Sequence, residues 1–184
     1  MSGIYDRGMS GQAGDSSLPT SLEVVGAVRV VDFEPRWRAD FARLNMEWLE
    51  RWFTVEPEDR EVLGDPETHV LASGGRVLFA VDESDRALGT VALMRHEDGL
   101  VELTKMAVEP ELRGAGIGRK PMAGAIAAFA QMGARELFLE SNTRLVPAIK
   151  LYESVGFRHQ PTVRPGSHYQ RADVYMVWEP NAGD

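Results

Sequence analysis

The chain has no cysteine among its 184 residues. Disulfides and thiolate metal sites are therefore excluded, and so is a cysteinyl acyl intermediate; any acyl transfer must be direct or use another nucleophile. No apolar run approaches the ~18 residues a membrane-spanning helix requires. A basic segment followed by an apolar one is missing from the N-terminus, so export is not indicated and the cytoplasm is the expected compartment. Positive charge is scarce: Lys and Arg total 20 against 28 Asp and Glu, for a formal net charge of -8. That balance argues against nucleic acid, whose phosphates need clustered cations, and favours a cationic acceptor. The four histidines, His69, His96, His159 and His168, show no metal-ligand spacing, and no metal is expected.

What is present describes a globular chain. Hydrophobic residues make up 43% and charged residues 26%, enough for a proper core under a solvated surface. Residues 1–21, rich in Gly, Ser and Asp, read as a disordered extension. Residues 22–184 read as a single domain.

The hydrophobic pattern predicts a first strand over 24–31, then a helix carrying Trp37, Phe41, Leu44 and Trp48 on one face at i, i+4, i+7 and i+11. Pro57 and Pro66 open two short helical pieces at positions a helix tolerates. Strands over 76–81, 88–95 and 101–108 follow, the last two joined by a turn at Glu97-Asp98-Gly99, giving three antiparallel strands in succession. Helices are predicted over 116–132 and 147–155, with Gly133 and Gly156 as their stops. Strands over 137–140, 157–163 and 174–178 complete an α+β sheet sandwiched by helices, six to seven strands with about four helices.

The stretch VELTKMAVEPELRGAGIGR, residues 101–119, organises the rest. Val101, Leu103 and Ala107 alternate with Glu102, Thr104 and Met106 as in a half-buried strand, and Pro110 ends it. Arg113-Gly114-Ala115-Gly116-Ile117-Gly118 follows, with three glycines in five residues that let backbone N–H groups converge on one point. A helix starting there adds unpaired N–H groups and its positive dipole end, with Arg119 and Lys120 close by, which suits a pyrophosphate. The pattern is not a P-loop, because Gly118 is followed by Arg119, Lys120 and Pro121 and not by Lys and then Ser or Thr. A dinucleotide fingerprint would need its third glycine at Arg119. Pro121 is out of place one turn into this helix, since it lacks the N–H that would bond the Ile117 carbonyl.

Arg113-x-x-Gly116-x-Gly118 after Met106-Ala107-Val108 resembles the pyrophosphate-binding motif of the GNAT superfamily of acyl-CoA-dependent N-acyltransferases. Downstream, Asn142, Ala148, Tyr152 and Gly156-Phe157 stand at the spacings typical of the GNAT helix that closes over the thioester. The resemblance covers roughly residues 24–178 and implies a GNAT fold with a mixed, mostly antiparallel sheet.

It also implies roles. Residues Arg113, Gly114, Ala115, Gly116, Ile117, Gly118 and Arg119 would bind pyrophosphate, and the backbone at Met106, Ala107 and Val108 would hold pantetheine and polarise the thioester carbonyl. Asn142 would hydrogen-bond pantetheine or the chain near it, or serve as a turn residue. Ala148 and Tyr152 share a helix face along which a ligand could lie. Tyr152 would protonate the departing thiolate. Glu102 is similar in offset to the general-base glutamate of histone-type GNAT enzymes, with Glu140 and His96 as rival bases and a solvent-facing strand glutamate as the plain alternative. Trp48, Trp52, His168, Tyr169 and Arg171 are candidate acceptor contacts, with helix packing and a solvated loop as alternatives.

The expected activity is transfer of acetyl from acetyl-CoA to a primary amine of a small molecule, such as an amino acid or polyamine, by direct attack in a ternary complex. A non-catalytic acyl-CoA sensor and a peptide N-acetyltransferase are the alternatives. Exposed strand edges are compatible with a homodimer.

Overall fold

The structure, a computed structural model, describes residues 27–96, 98–167 and 169–180. The expected extension at 1–21, the start of the expected strand at 24–31, Glu97 in the second turn and His168 lie outside the described residues.

Seven strands form one mixed sheet: β1 (Arg29–Asp32), β2 (Arg76–Val81), β3 (Ala87–Arg95), β4 (Leu100–Val108), β5 (Glu136–Ser141), β6 (Phe157–His159) and β7 (Val174–Trp178). Their spatial order is β1-β2-β3-β4-β5-β7-β6, and only the β4–β5 pair is parallel. Four α-helices flank the sheet: α1 (Arg38–Trp52), α2 (Pro57–Gly64), α3 (Arg119–Gln131) and α4 (Val146–Ser154). This is the α+β architecture that the sequence predicts.

Each face of the sheet has its own apolar layer. On one side, Leu78, Val91, Leu93, Val101 and Leu103 pack with Met122 and Ala125 of α3 and Tyr152 of α4. On the other, Val77, Phe79 and Ala92 pack with Phe41, Leu44 and Leu49 of α1 and Val62 of α2. Each fully buried Val, Leu, Phe or Met side chain among them contributes about 1.5–3 kcal/mol to holding the helices on the sheet. Trp48, expected on the buried stripe of α1, is only half-buried; Leu49 takes the core position instead.

Three local expectations need correction. The simple alternation along β4 breaks. Thr90 faces Ala107 and Ala92 faces Thr104, so Val91 opposes both Lys105 and Met106, a bulge with one extra residue. Past it the faces exchange: Met106 joins the layer of Val101 and Leu103, whereas Ala107 joins the α1 side. The second correction concerns α3, which begins at Arg119 rather than at 116. Pro121 is therefore its third residue, where an N–H has no intrahelical acceptor to lose, and the Ile117 carbonyl accepts from Lys120 N at 3.0 Å. Finally, β6 spans three residues where seven were expected, because Arg158 and His159 are exposed on the sheet edge and Pro161 follows closely.

Candidate active site

The parallel pairing of β4 with β5 lasts for three residues, ending at Glu102↔Phe138. Beyond it β4 continues to Val108 bound only to β3, while β5 continues to Ser141 bound only to β7. The sheet is thus split between its two central strands, and the β4 edge at Met106, Ala107 and Val108 offers backbone donors and acceptors without a strand partner on that side.

The glycine turn lies at the end of this split. Gly114 and Gly116 adopt φ of +85° and +81°, conformations costly for any side chain bearing Cβ, and a Cβ added at either would meet nothing within 4 Å. Among the described residues, the N–H groups of Gly114, Gly116, Ile117 and Gly118 donate to no backbone carbonyl. Four amides at the mouth of α3 are therefore available to an anion. A Cβ on Gly118 would touch Leu151 of α4 and Met106 of β4, both at 3.4 Å, so turn, strand and helix meet at this residue. Arg119 and Lys120 are exposed at the same helix start. Arg113 is engaged elsewhere, donating from Nε to the Val108 carbonyl at 3.1 Å and pairing with Glu47 of α1.

Tyr152 is buried in the layer beneath α4, edge-on to Phe157 at 6.1 Å, with Ala148 half-buried against the same layer. Burial pushes its phenol up to about 12, so it remains a proton-bearing donor at neutral pH. Both side-chain polar atoms of Asn142 serve the chain: Nδ2 donates to the Arg171 carbonyl at 2.7 Å, and Oδ1 accepts from Arg144 N at 2.9 Å.

Glu102 is not the solvent-facing residue that strand glutamates usually are. It is 5% exposed, sits where the split begins, and lies 3.2 Å from His96 Nε2, so the two candidate bases form one pair. His96 keeps 22% of its side chain accessible and packs tilted against Phe138, ring centroids 5.4 Å apart. Glu140, the third candidate, is half-buried two residues beyond Phe138.

Sequence reasoning missed the neighbouring charge cluster. The β4 bulge holds Lys105 at φ +49°, a left-handed conformation rare for lysine, and turns its side chain toward α2. There Nζ reaches Asp59 Oδ1 at 2.6 Å and the Tyr169 hydroxyl at 3.0 Å. Asp59, fully buried, also accepts Arg171 in fork geometry at 2.8 and 2.8 Å and the Glu56 N–H at 3.0 Å, which saturates its acceptor positions. Burial alone would raise the Asp59 carboxyl; hydrogen bonds from Arg171 and the charge of Lys105 outweigh it and hold it below the ordinary aspartate value. Burial presses Lys105 below the ordinary lysine value, against the pull of Asp59. Burial, with nearby Glu102 and Asp59, drives the Tyr169 hydroxyl strongly upward. The one sequence signal for this cluster was a lysine within the strand pattern, at Lys105.

Arg171 and Tyr169 also line a cavity of about 50 Å³ together with Trp48, Phe53, Ser141 and Asn142. Three of the expected acceptor contacts, Trp48, Tyr169 and Arg171, are thus brought together. Trp52 is not among them; it is 44% exposed on the last turn of α1. A larger cleft of about 340 Å³ lies between α4 and the β6–β7 connection, with no residue of β4 or the glycine turn in its walls. Among the described residues there is no cluster of three or more His, Asp or Glu that could hold a metal ion, and no helix is long and apolar enough to cross a membrane.

Solved acetyltransferases of one family share this fold. The solved structure of a GNAT-family acetyltransferase from Staphylococcus aureus superposes with a TM-score of 0.75, covering 83% of this chain and 98% of that one at 18% identity. A GNAT superfamily phosphinothricin acetyltransferase from Sinorhizobium meliloti, in complex with AcCoA, superposes with a TM-score of 0.67 at 18% identity, over 86% and 95% of the two chains.

The profile of the Acetyltransferase (GNAT) family matches residues 24–157, and the chain belongs to that family. An uncharacterized N-acetyltransferase of Schizosaccharomyces pombe is 32% identical over 76% of this chain and 86% of its own length. A mycothiol acetyltransferase of Actinosynnema mirum is 26% identical over 77% of this chain, which spans only 48% of that protein.

Proposed function

We propose that this acetyltransferase moves an acetyl group from acetyl-CoA to the primary amine of a small molecule, by direct attack in a ternary complex. The observation that carries the reading is the split beyond Glu102: an unpaired strand edge starts beside a part-buried carboxylate–imidazole pair, and four amides that donate to no backbone carbonyl stand at the mouth of the helix that follows it. The amides of Gly114, Gly116, Ile117 and Gly118, aided by Arg119, take the pyrophosphate; the β4 edge at Met106–Val108 pairs with the pantetheine amides.

An N–H near Ala107 or Val108 polarises the thioester carbonyl and accepts the negative charge that grows on its oxygen. Glu102, acting with His96, removes the proton that an ammonium acceptor must lose before attack. The nitrogen bonds to the carbonyl carbon and sheds its second proton to solvent, and the tetrahedral intermediate collapses as the C–S bond breaks and the thiolate leaves. Tyr152 serves that last step. A phenol at about 12 surrenders its proton to a thiolate of pKa about 8.5 only uphill, so its contribution is chiefly a hydrogen bond to the developing sulfur anion. With no cysteine in the chain, no cysteinyl enzyme competes with this path.

Thiol release from acetyl-CoA across a panel of primary amines tests the reading. Amine-dependent release is expected. Tight acetyl-CoA binding by calorimetry with no release for any amine contradicts it and leaves a binding module.

A further inference from the structure

We infer that Lys105 and Asp59 are a positioning pair for the transfer: their ion pair holds the β4 bulge, and the bulge turns the backbone of Met106 and Val108 into the sheet split. The inference rests on the transferase reading above and names the residues that aim its strand edge.

Strand residues present their N–H and C=O groups to alternate sides, so one hydrogen bond fixes the count for its neighbours. Before the bulge, the Leu100 carbonyl accepts from His96 N at 2.9 Å, which turns Leu100, Glu102 and Thr104 toward β3 and leaves Val101 and Leu103 toward β5. Past the bulge the count is reversed. Glu109 N donates to the Leu88 carbonyl at 2.9 Å, so Glu109 and Ala107 face β3. The Val108 carbonyl accepts instead from Arg113 Nε at 3.1 Å, so Val108 and Met106 face the split. An uninterrupted strand would keep Met106 and Val108 on β3 and turn Ala107 outward. The extra residue therefore decides which amides the split receives, and it makes the Val108 N–H the donor toward a thioester oxygen.

Lys105 carries the strain of that bulge. Its φ of +49° is left-handed, a conformation that Gly, and less often Asn or Asp, adopts readily. Among the described residues the other non-Gly residue with positive φ is Asp85, which lies between β2 and β3 and not inside a strand. Such a conformation persists where its surroundings over-determine it. Here the surroundings are Asp59 Oδ1 at 2.6 Å and the Tyr169 hydroxyl at 3.0 Å from Nζ, on a side chain only 3% exposed.

The alternative is worse for this sequence. In a regular strand Lys105 would share the face of Val101 and Leu103 and carry its ammonium into the apolar layer under α3 and α4. The bulge sends Lys105 to Asp59 on α2 and brings Met106 to that layer in its place. From there Met106 Cε comes within 3.4 Å of a Cβ added at Gly118. One residue shift thus sets both the strand edge and its contact with the anion turn.

The test compares Lys105→Gly with Lys105→Ala. Both remove the ion pair and they differ by one methyl group, but glycine takes a left-handed φ freely and alanine does not. Lys105→Gly is expected to exceed Lys105→Ala about tenfold in kcat for thiol release, and to bind CoA severalfold tighter by calorimetry, although glycine is the weaker residue in a strand. A merely structural ion pair gives the opposite order, and alanine at or above glycine overturns the inference. Asp59→Asn keeps the shape and removes the charge; folded by circular dichroism, it is expected to lose kcat severalfold. Full kcat in Asp59→Asn overturns the inference even where a Lys105 variant fails to fold. Wild type that releases no thiol with any amine overturns the transferase reading, and the CoA affinities of the two Lys105 variants then decide the role of the bulge by themselves.

Discussion

Lys105 Nζ stands 2.6 Å from Asp59 Oδ1, both side chains buried, across 46 residues of chain. Lys105 comes from a strand bulge and Asp59 from the first turn of α2, and Arg171 of the β6–β7 connection closes on the same carboxylate. Three elements around the cavity thus share one anion. Asp59→Ala leaves two cations facing a vacated buried site, and a loss of roughly 3–5 kcal/mol is expected on chemical denaturation. A loss below 1 kcal/mol would show that the cluster is wetter and looser than its geometry.

The same carboxylate fixes a pH dependence. Its folded pKa lies below the unfolded value of about 3.9, so its contribution is complete above that value and disappears as pH falls through the folded pKa. The urea midpoint of the wild type should fall as pH drops below about 4, and Asp59→Asn, already weaker at neutral pH, should show a shallower decline. Parallel declines contradict the assignment.

Gly116 provides the test of the anion turn. At φ +81°, valine there incurs about 1–3 kcal/mol of backbone strain, and its side chain would stand in space that is otherwise open. The expected result for Gly116→Val is a raised Michaelis constant for acetyl-CoA with little change in that for the amine. An unchanged acetyl-CoA constant counts against the turn as the pyrophosphate site.

Tyr152→Phe keeps the edge-on contact with Phe157 and removes one hydrogen-bond donor. Stability should hold while kcat drops about tenfold, the value of one such bond to a group that leaves tolerably without it. Retention of full kcat would remove the phenol from the chemistry.

Glu102→Gln should lower kcat/KM for the amine by about 10²–10⁴ near neutral pH, with acetyl-CoA binding preserved in calorimetry. If His96→Ala has the large effect and Glu102→Gln is nearly silent, the imidazole is the base and the carboxylate only orients it.

The sequence carries the elements whose signals are local. The amphipathic stripes, the glycine stops at 133 and 156, and the glycine turn after a strand are each written within a few residues, and the sheet assembles from them. The β4 bulge is not local: two-against-one pairing at Val91 becomes visible only beside β3, and alternation alone put Ala107 on the wrong face. The Asp59 cluster escaped for the same reason, since its partners lie 46 and 112 positions away. Glu102 was legible as a candidate; its burial against His96, across the β3–β4 turn, was not. Pro121, discordant in a helix drawn from 116, fits once the helix starts three residues later.

In the proposed reaction the unpaired edge of β4 and the amides at the mouth of α3 grip coenzyme A. Amide hydrogen exchange of the full chain with and without CoA measures it at residue level. Slowed exchange concentrated at Met106–Val108 and Gly114–Gly118 is the predicted result; protection located elsewhere, or no protection at saturating CoA, contradicts it.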